Sequence, residues 1–361
     1  MLKIYFSPLL LLLSLTLYSQ LKPGYDKTEA LELIKVNFRF VDSSFWDSMP
    51  APERFSLKFR SKTVGFDNKW DYWADENGVG VFSLRGTTNS MKSWGANFYS
   101  GMIPAKGSIK LDSNHVFDYE LAKDDKAYVH AGWTTAIGFL APTIDSVLLS
   151  EIAKGNRQFY ITGHSQGGAL AYLLTARFLV MKENGNIPSD VQFKTYCSAA
   201  PKPGNLYFAY YYENMTQNGW AYNSVNATDW VPETPFSIQT VNDFHTINPF
   251  TDAKKMLNEL PFIQRVALKH MYLQMDKPSR KAERRFEKYL GVKLGKILAK
   301  TTKGFEPPTL IHSMMYTRCG NYRVLYPGKE YETLFPQDEN EKFTNHMLEP
   351  YIYLLERVKV E

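Results

Sequence analysis

Apolar positions recur along the chain with two periods, and the alternation between them outlines a fold. From Thr28 to Phe38, Leu31, Leu33, Ile34 and Val36 fall at helical spacing. Short apolar runs between Lys69 and Thr88 read as strands. Val79–Leu84 is the clearest, and the turn-rich Arg85-Gly86-Thr87-Thr88 stops it. Ala136–Ala153 reads as a helix. Gln158–Thr162 is rich in β-forming residues and reads as a strand, followed by a tight turn over Gly163–Gly168 and a helix over Ala169–Met181. Gln192–Tyr196 is another strand, stopped by Pro201, Pro203 and Gly204. Strand signals resume at Tyr322–Tyr326, and a last helix spans Thr344–Val358. Strands that alternate with helices predict an α/β fold, a mostly parallel sheet flanked by helices. Between residues 248 and 308 the pattern turns helical and basic, with breaks expected at Pro261, Pro278 and Gly291. This stretch reads as an insertion or cap within one domain. No repeat or low-complexity tract interrupts the chain.

The first twenty residues pair a positive start at Lys3 with an apolar run from Ile4 to Leu17 and a small residue, Ser19. That is the pattern of a signal peptide. The run is short for a membrane span, and the next residues (Lys22, Pro23, Gly24, Tyr25, Asp26) are polar or turn-forming, so cleavage is favoured over a retained anchor. The expectation is an exported or secreted protein, with one domain over residues 21–361. No later stretch reads as long and apolar enough to span a bilayer.

Composition changes little. Apolar residues at 44% and charged residues at 22% argue against a disordered chain, and the 15% aromatics are enough to fill much of a core with some left to line an apolar cleft. Two cysteines, Cys197 and Cys319, are too few for a disulfide scaffold; they read as buried thiols, with pairing left open. The net charge of +5 hides an asymmetry. Asp252–Lys303 carries 14 Lys and Arg against 5 Asp and Glu, a local +9. Such a segment suits an anionic lipid surface or a solvated helical face equally well.

The chemistry centres on Gly163-His164-Ser165-Gln166-Gly167, a G-x-S-x-G pattern placed between a strand and a helix. A serine there is exposed above the sheet on a strained turn, and the glycines allow close backbone approach. The competing reading is a glycine-rich turn that only joins strand to helix. A serine nucleophile needs a base and an orienting carboxylate, and on this architecture both follow it in the chain. Asp229, in Asn226-Ala227-Thr228-Asp229-Trp230-Val231-Pro232, is the best acid, with Asp243 second. The histidines beyond it are His245, His270, His312 and His346. Spacing alone leaves His312 and His346 open. No metal-ligand spacing such as H-E-x-x-H occurs, and no cofactor is expected.

Several segments together resemble the class 3 lipases, a family of α/β-hydrolases. Val81–Thr88 is similar to a strand ending F-R-G-T, with Trp94 beyond it. Val129–Trp133 is similar to V-H-x-G-F, and Gly163–Ala169 to G-H-S-L-G-G-A with Gln166 in place of Leu. Thr195–Asn205 resembles T-F-G-x-P-R-V-G-N, Asn226–Pro232 resembles N-x-x-D-x-V-P, Tyr316–Gly320 resembles the Y-x-H-V-G strand, and His346–Leu354 resembles H-x-L-E-x-Y-x-x-L. The resemblance spans residues 65–360 except 248–308. It implies Ser165 as nucleophile, Asp229 as acid and His346 as base, because Tyr316–Gly320 fills the strand before the base. It also implies an oxyanion hole from the amides of Thr87 and Gln166, with the Thr87 hydroxyl beside them. His130 matches a structural position and His164 a packing one. Cys197 departs from a usual Gly. The lid expected at Thr88–Asn97 has a rival in the insertion. The implied activity is cleavage of lipid esters, of triacylglycerol-lipase type; a phospholipase A1 or general carboxylesterase is the alternative, and a non-catalytic lipid-binding protein the alternative of another class. Expected partners are a lipid or other ester, with peripheral contact to a lipid surface and no nucleic acid.

Overall fold

The computed structural model describes residues 21–41, 49–250 and 252–358; the expected signal peptide lies outside them. In chain order the elements are α1 (Lys27–Phe38), β1 (Ser56–Arg60), β2 (Trp70–Ala74), β3 (Gly80–Leu84), α2 (Met91–Phe98), β4 (Met102–Pro104), β5 (Lys106–Lys110), β6 (Val116–Glu120), β7 (Tyr128–His130), α3 (Ala131–Ala153), β8 (Gln158–His164), α4 (Gln166–Glu183), β9 (Gln192–Ser198), α5 (Leu206–Met215), β10 (Ala221–Asn226), α6 (Ala253–Asn258), α7 (Phe262–Phe286), α8 (Leu294–Thr301), β11 (Asn321–Leu325), α9 (Lys329–Leu334) and α10 (Leu348–Arg357).

Seven strands form one sheet in the order β1-β2-β3-β8-β9-β10-β11. β1 and β2 run antiparallel to their neighbours, and β3, β8, β9, β10 and β11 are parallel. Alternation along the strands divides the core between the two faces. Phe159 and Ile161 join Phe82, Leu84 and the residues of α3 and α4 on one face; Tyr160 joins Val81, Tyr196 and the residues of α1 and α10 on the other. A central parallel strand is covered on both faces, which is why β8 shows no polar side at its centre. This is the mostly parallel sheet flanked by helices that the strand–helix alternation predicts, and the α/β-hydrolase architecture that the class 3 lipase resemblance implies.

Some boundaries differ from expectation. Helix α3 starts at Ala131, five residues early, because His130 caps it by accepting from the Trp133 amide. Gly132 weakens the local helix signal but is required there, since a Cβ would overlap the Ala96 carbonyl. α3 also corrects the reading that no later stretch is long and apolar enough to cross a membrane: it has that length and a mean hydropathy of 1.4. Its Trp133, Ile137, Leu140, Ile144 and Leu148 are buried in the protein core instead. Pro278 does not break α7; the bond it cannot make is to the carbonyl of Gln274, an exposed residue whose backbone water can serve. Tyr316–Gly320 is not a strand. Only Thr317 makes a bridge, to Gly204, and the strand begins at Asn321. The last helix starts at Leu348, after a single 3-10 turn over Thr344–His346. The insertion is helical, and its far end is anchored. Leu298 of α8 and Phe305 are buried, and Gly95 of α2 faces Leu298.

Candidate active site

The parallel strands deliver their C-terminal ends to one edge of the sheet, where open α/β sheets hold their ligands. Ser165 follows β8, Asp229 lies three residues beyond β10, Thr87 lies three residues beyond β3, and His346 sits in the turn before α10. Ser165 has φ 60° and ψ −129°, a left-handed backbone that costs about 1–3 kcal/mol in a non-glycine residue. The neighbours enforce it. A Cβ on Gly163 would overlap the Gly167 carbonyl, and one on Gly167 would overlap the Leu84 carbonyl. With no room for side chains there, the turn can be this sharp and the serine hydroxyl stands clear of the sheet.

Three of the expected groups meet. The Ser165 hydroxyl lies 2.8 Å from Nε2 of His346, and Nδ1 of His346 lies 2.8 Å from Oδ2 of Asp229. Asp229 is 3% exposed and its carboxylate can only accept, so Nδ1 carries the proton and Nε2 is left to accept from the serine. Asp229 is held in turn. Its Oδ1 accepts from the Val231 amide at 2.9 Å, and its Oδ2 accepts from the Tyr351 hydroxyl at 2.7 Å. Tyr351 also accepts from the Asn226 amide, which ties α10 to the end of β10.

His164 is more than packing. Its Nε2–H donates to the His346 carbonyl at 2.8 Å, and Nδ1 accepts from the Ser198 hydroxyl. Burial pushes its pKa well below the ordinary histidine value, with proximity to His346 adding to this. It stays neutral and holds the backbone of His346 in place. His130 is likewise neutral, lowered to about 3 by burial, and it stacks on Trp133 with ring centroids 3.7 Å apart.

On the other side of Ser165, Gln166 is the first residue of α4, so its amide has no partner within the helix. The Thr87 hydroxyl oxygen accepts from Nδ2 of Asn97 at 2.8 Å, which leaves its own hydrogen free to donate. Asn97 is fixed by Trp133, whose indole N–H donates to its Oδ1, and by His130, which donates to its carbonyl. The buried Gln166 side chain bonds Ser93 of α2 in both directions, so the usual leucine is replaced by a tie between the turn and α2. Trp94, Trp230 and Phe343 form an aromatic wall that reaches the His346 ring.

The other candidates lie elsewhere. Asp243 caps a turn by accepting from Thr240 and also binds the Ser313 hydroxyl. His312 is exposed and pairs with Glu287, while His245 and His270 are exposed. Cys197 and Cys319 are both free and buried. Among the described residues, no group of three His, Cys, Asp or Glu side chains is placed to hold a metal. Asn97 was missed by the sequence reading, since nothing local marks it. Tyr351 stood within the quoted H-x-L-E-x-Y segment, and that was its only signal.

Fold and site geometry define an α/β-hydrolase with its polar centre at the strand ends. The class 3 lipase family model matches residues 81–239, the stretch that runs from β3 past Asp229. The resemblance read from the motifs holds over that stretch, and it supports a lipid ester hydrolase. No curated protein matches the chain. Among solved structures, the chain is similar to the Lip2 lipase of Yarrowia lipolytica (18% identity, 60% of this chain and 77% of that one, TM-score 0.43). It is also similar to the lipase of Rhizopus microsporus var. chinensis (19%, 59% and 71%, 0.43) and a triacylglycerol lipase of Penicillium expansum (16%, 58% and 75%, 0.42).

Proposed function

We propose that the protein hydrolyses carboxylic esters of lipids through a covalent acyl-enzyme. Ser165 attacks the ester carbonyl while His346 takes its proton, and the C–O bond to the alcohol breaks as His346 returns that proton to the leaving oxygen. Water then attacks the acyl-serine with His346 again as base, which releases the acid and restores the serine. Asp229 keeps the imidazole in its productive tautomer and offsets the charge it gains. The amides of Gln166 and Thr87, with the Thr87 hydroxyl, receive the oxyanion. The observation that carries this reading is the unbroken hydrogen-bonded chain from Ser165 through His346 to Asp229, on a turn strained at the serine. The family match supports a lipid as the ester. Export, expected from the first twenty residues, belongs to the same proposal.

The test is turnover of short-chain and long-chain p-nitrophenyl esters by the purified protein beside Ser165→Ala. Activity in the wild type and at least a roughly 10³-fold loss in the variant is the expected result. A folded wild type that cleaves neither ester points to the non-catalytic lipid-binding alternative. An active Ser165→Ala protein removes Ser165 as nucleophile. The chain-length ratio separates a lipase from a general carboxylesterase.

A further inference from the structure

The insertion leaves an apolar surface uncovered. From Pro261 to Met271 every residue is exposed except the half-buried Arg265. Phe262 is 70% exposed and Ile263 81%, at the turn between α6 and α7. Phe262, Val266 and Leu273 lie along one side of the helix, and Leu268, Met271 and Met275 along the other. A helix apolar on opposite sides is normally surrounded. The charge of α7 is graded along its length. Its first half carries Arg265 and the exposed Lys269 among exposed apolar residues, while its second half and the turn beyond carry the exposed cations Lys277, Lys281, Arg284, Arg285 and Lys288. The carboxylates here do little to oppose them: Asp276 is buried and paired with Arg280 at 2.7 Å.

We infer that the α6–α7 hairpin is a docking element for an anionic lipid surface. The apolar tip enters the acyl boundary and the basic shaft lies at the level of the phosphates. Charge complementarity selects this occupant: a second copy would bring two segments of +9 together, whereas an anionic bilayer meets both halves of the helix with a suitable partner. The second half of α7 packs beside the segment that follows the acid. The loop that follows Asp229 brings the exposed Phe236 into one cleft with Arg285 and Tyr289, and Trp230 and Met347 stand exposed at the site itself. The inference rests on the lipid-ester reading for its purpose but not for its measurement.

The test uses the full chain carrying Ser165→Ala, so that vesicles stay intact, in co-sedimentation with phosphatidylcholine vesicles and with vesicles that also contain phosphatidylglycerol. Binding to the anionic vesicles should exceed binding to the neutral ones at least about tenfold and weaken with added salt. Phe262→Ser with Ile263→Ser should lower it at least about tenfold, with the thermal midpoint unchanged and, in the Ser165 background, turnover of a soluble short-chain ester unchanged. Lys281→Glu with Lys288→Glu should abolish the preference for anionic vesicles. Failure to bind either vesicle, unchanged binding in the Phe262 and Ile263 variant, or a dimer that this variant dissolves would each overturn the inference. Loss of the hydrolase reading would show separately, in the ester assay.

Discussion

Asn97→Leu isolates the part of the site that orients the oxyanion. The substitution keeps the volume near Thr87 but removes the N–H that holds the threonine oxygen and the carbonyl that receives the Trp133 indole. Two limits bracket the effect. If the freed hydroxyl samples its three staggered positions evenly, it points at the oxyanion about one third of the time, a roughly threefold loss. If the donor is lost altogether, about 3 kcal/mol of barrier lowering goes with it, on the order of 10²-fold. The expected fall in kcat therefore lies between about 3- and 100-fold, with KM changed less than about twofold, because the interaction strengthens only as charge develops. Stability should fall by about 1–3 kcal/mol, because the buried Trp133 N–H loses its acceptor. The assay is steady-state turnover of a soluble short-chain ester by the wild type, Asn97→Leu, Thr87→Val and the double variant. If Asn97 acts through Thr87, the double variant is no slower than Thr87→Val alone. Wild-type kcat in Asn97→Leu beside a slow Thr87→Val, or losses that simply multiply, would refute the reasoning.

Tyr351→Phe removes one donor from the buried Asp229 carboxylate and leaves the Asn226 amide without its acceptor. About 2 kcal/mol of stability and about tenfold in kcat should go with it; a kcat within twofold of wild type would remove Tyr351 as a positioning residue. Acid should weaken the fold through His130 and His164, both held neutral by burial. An unfolded histidine takes up its proton near pH 6.5, whereas folded His130 does so only near 3. Its folded pKa is the lower one, so its contribution is intact above about pH 6.5 and is lost as pH falls toward 3, with about 2 kcal/mol gone by about pH 5. Denaturant unfolding at the two pH values, beside His130→Gln, checks this. An equal drop in both proteins would rule out His130 as a source.

The parts of the site that lie close in sequence were legible as pattern. β3, β8 and the glycine turn are local, and the turn's glycines are dictated by backbone contacts that no other residue fits. The base was not legible in this way. His346 reaches Asp229 across 117 residues, and spacing offered His312 equally until the family resemblance decided. His312 proved to be an exposed partner of Glu287. The ribbons β4–β7 and β5–β6 escaped because β4 and β7 hold only three residues each and β5 buries one residue of five. Asn97 escaped because its partners, Thr87, His130 and Trp133, converge only in the folded chain. The early start of α3 was hidden by Gly132, a poor helix former kept for close packing.

The hydrogen bonds of Tyr351 and the place of His346 also bear on how the protein matures. Ser165, Thr87 and Gln166 are assembled by β3, β8 and α4, segments that emerge early in synthesis. The base reaches the serine only when α10 docks, and Tyr351 locks that docking to Asp229 and Asn226. A domain generally folds as a unit. The fold that strains the serine turn is thus completed together with the base that uses it, and reactivity arrives with the last helix rather than accumulating along the way.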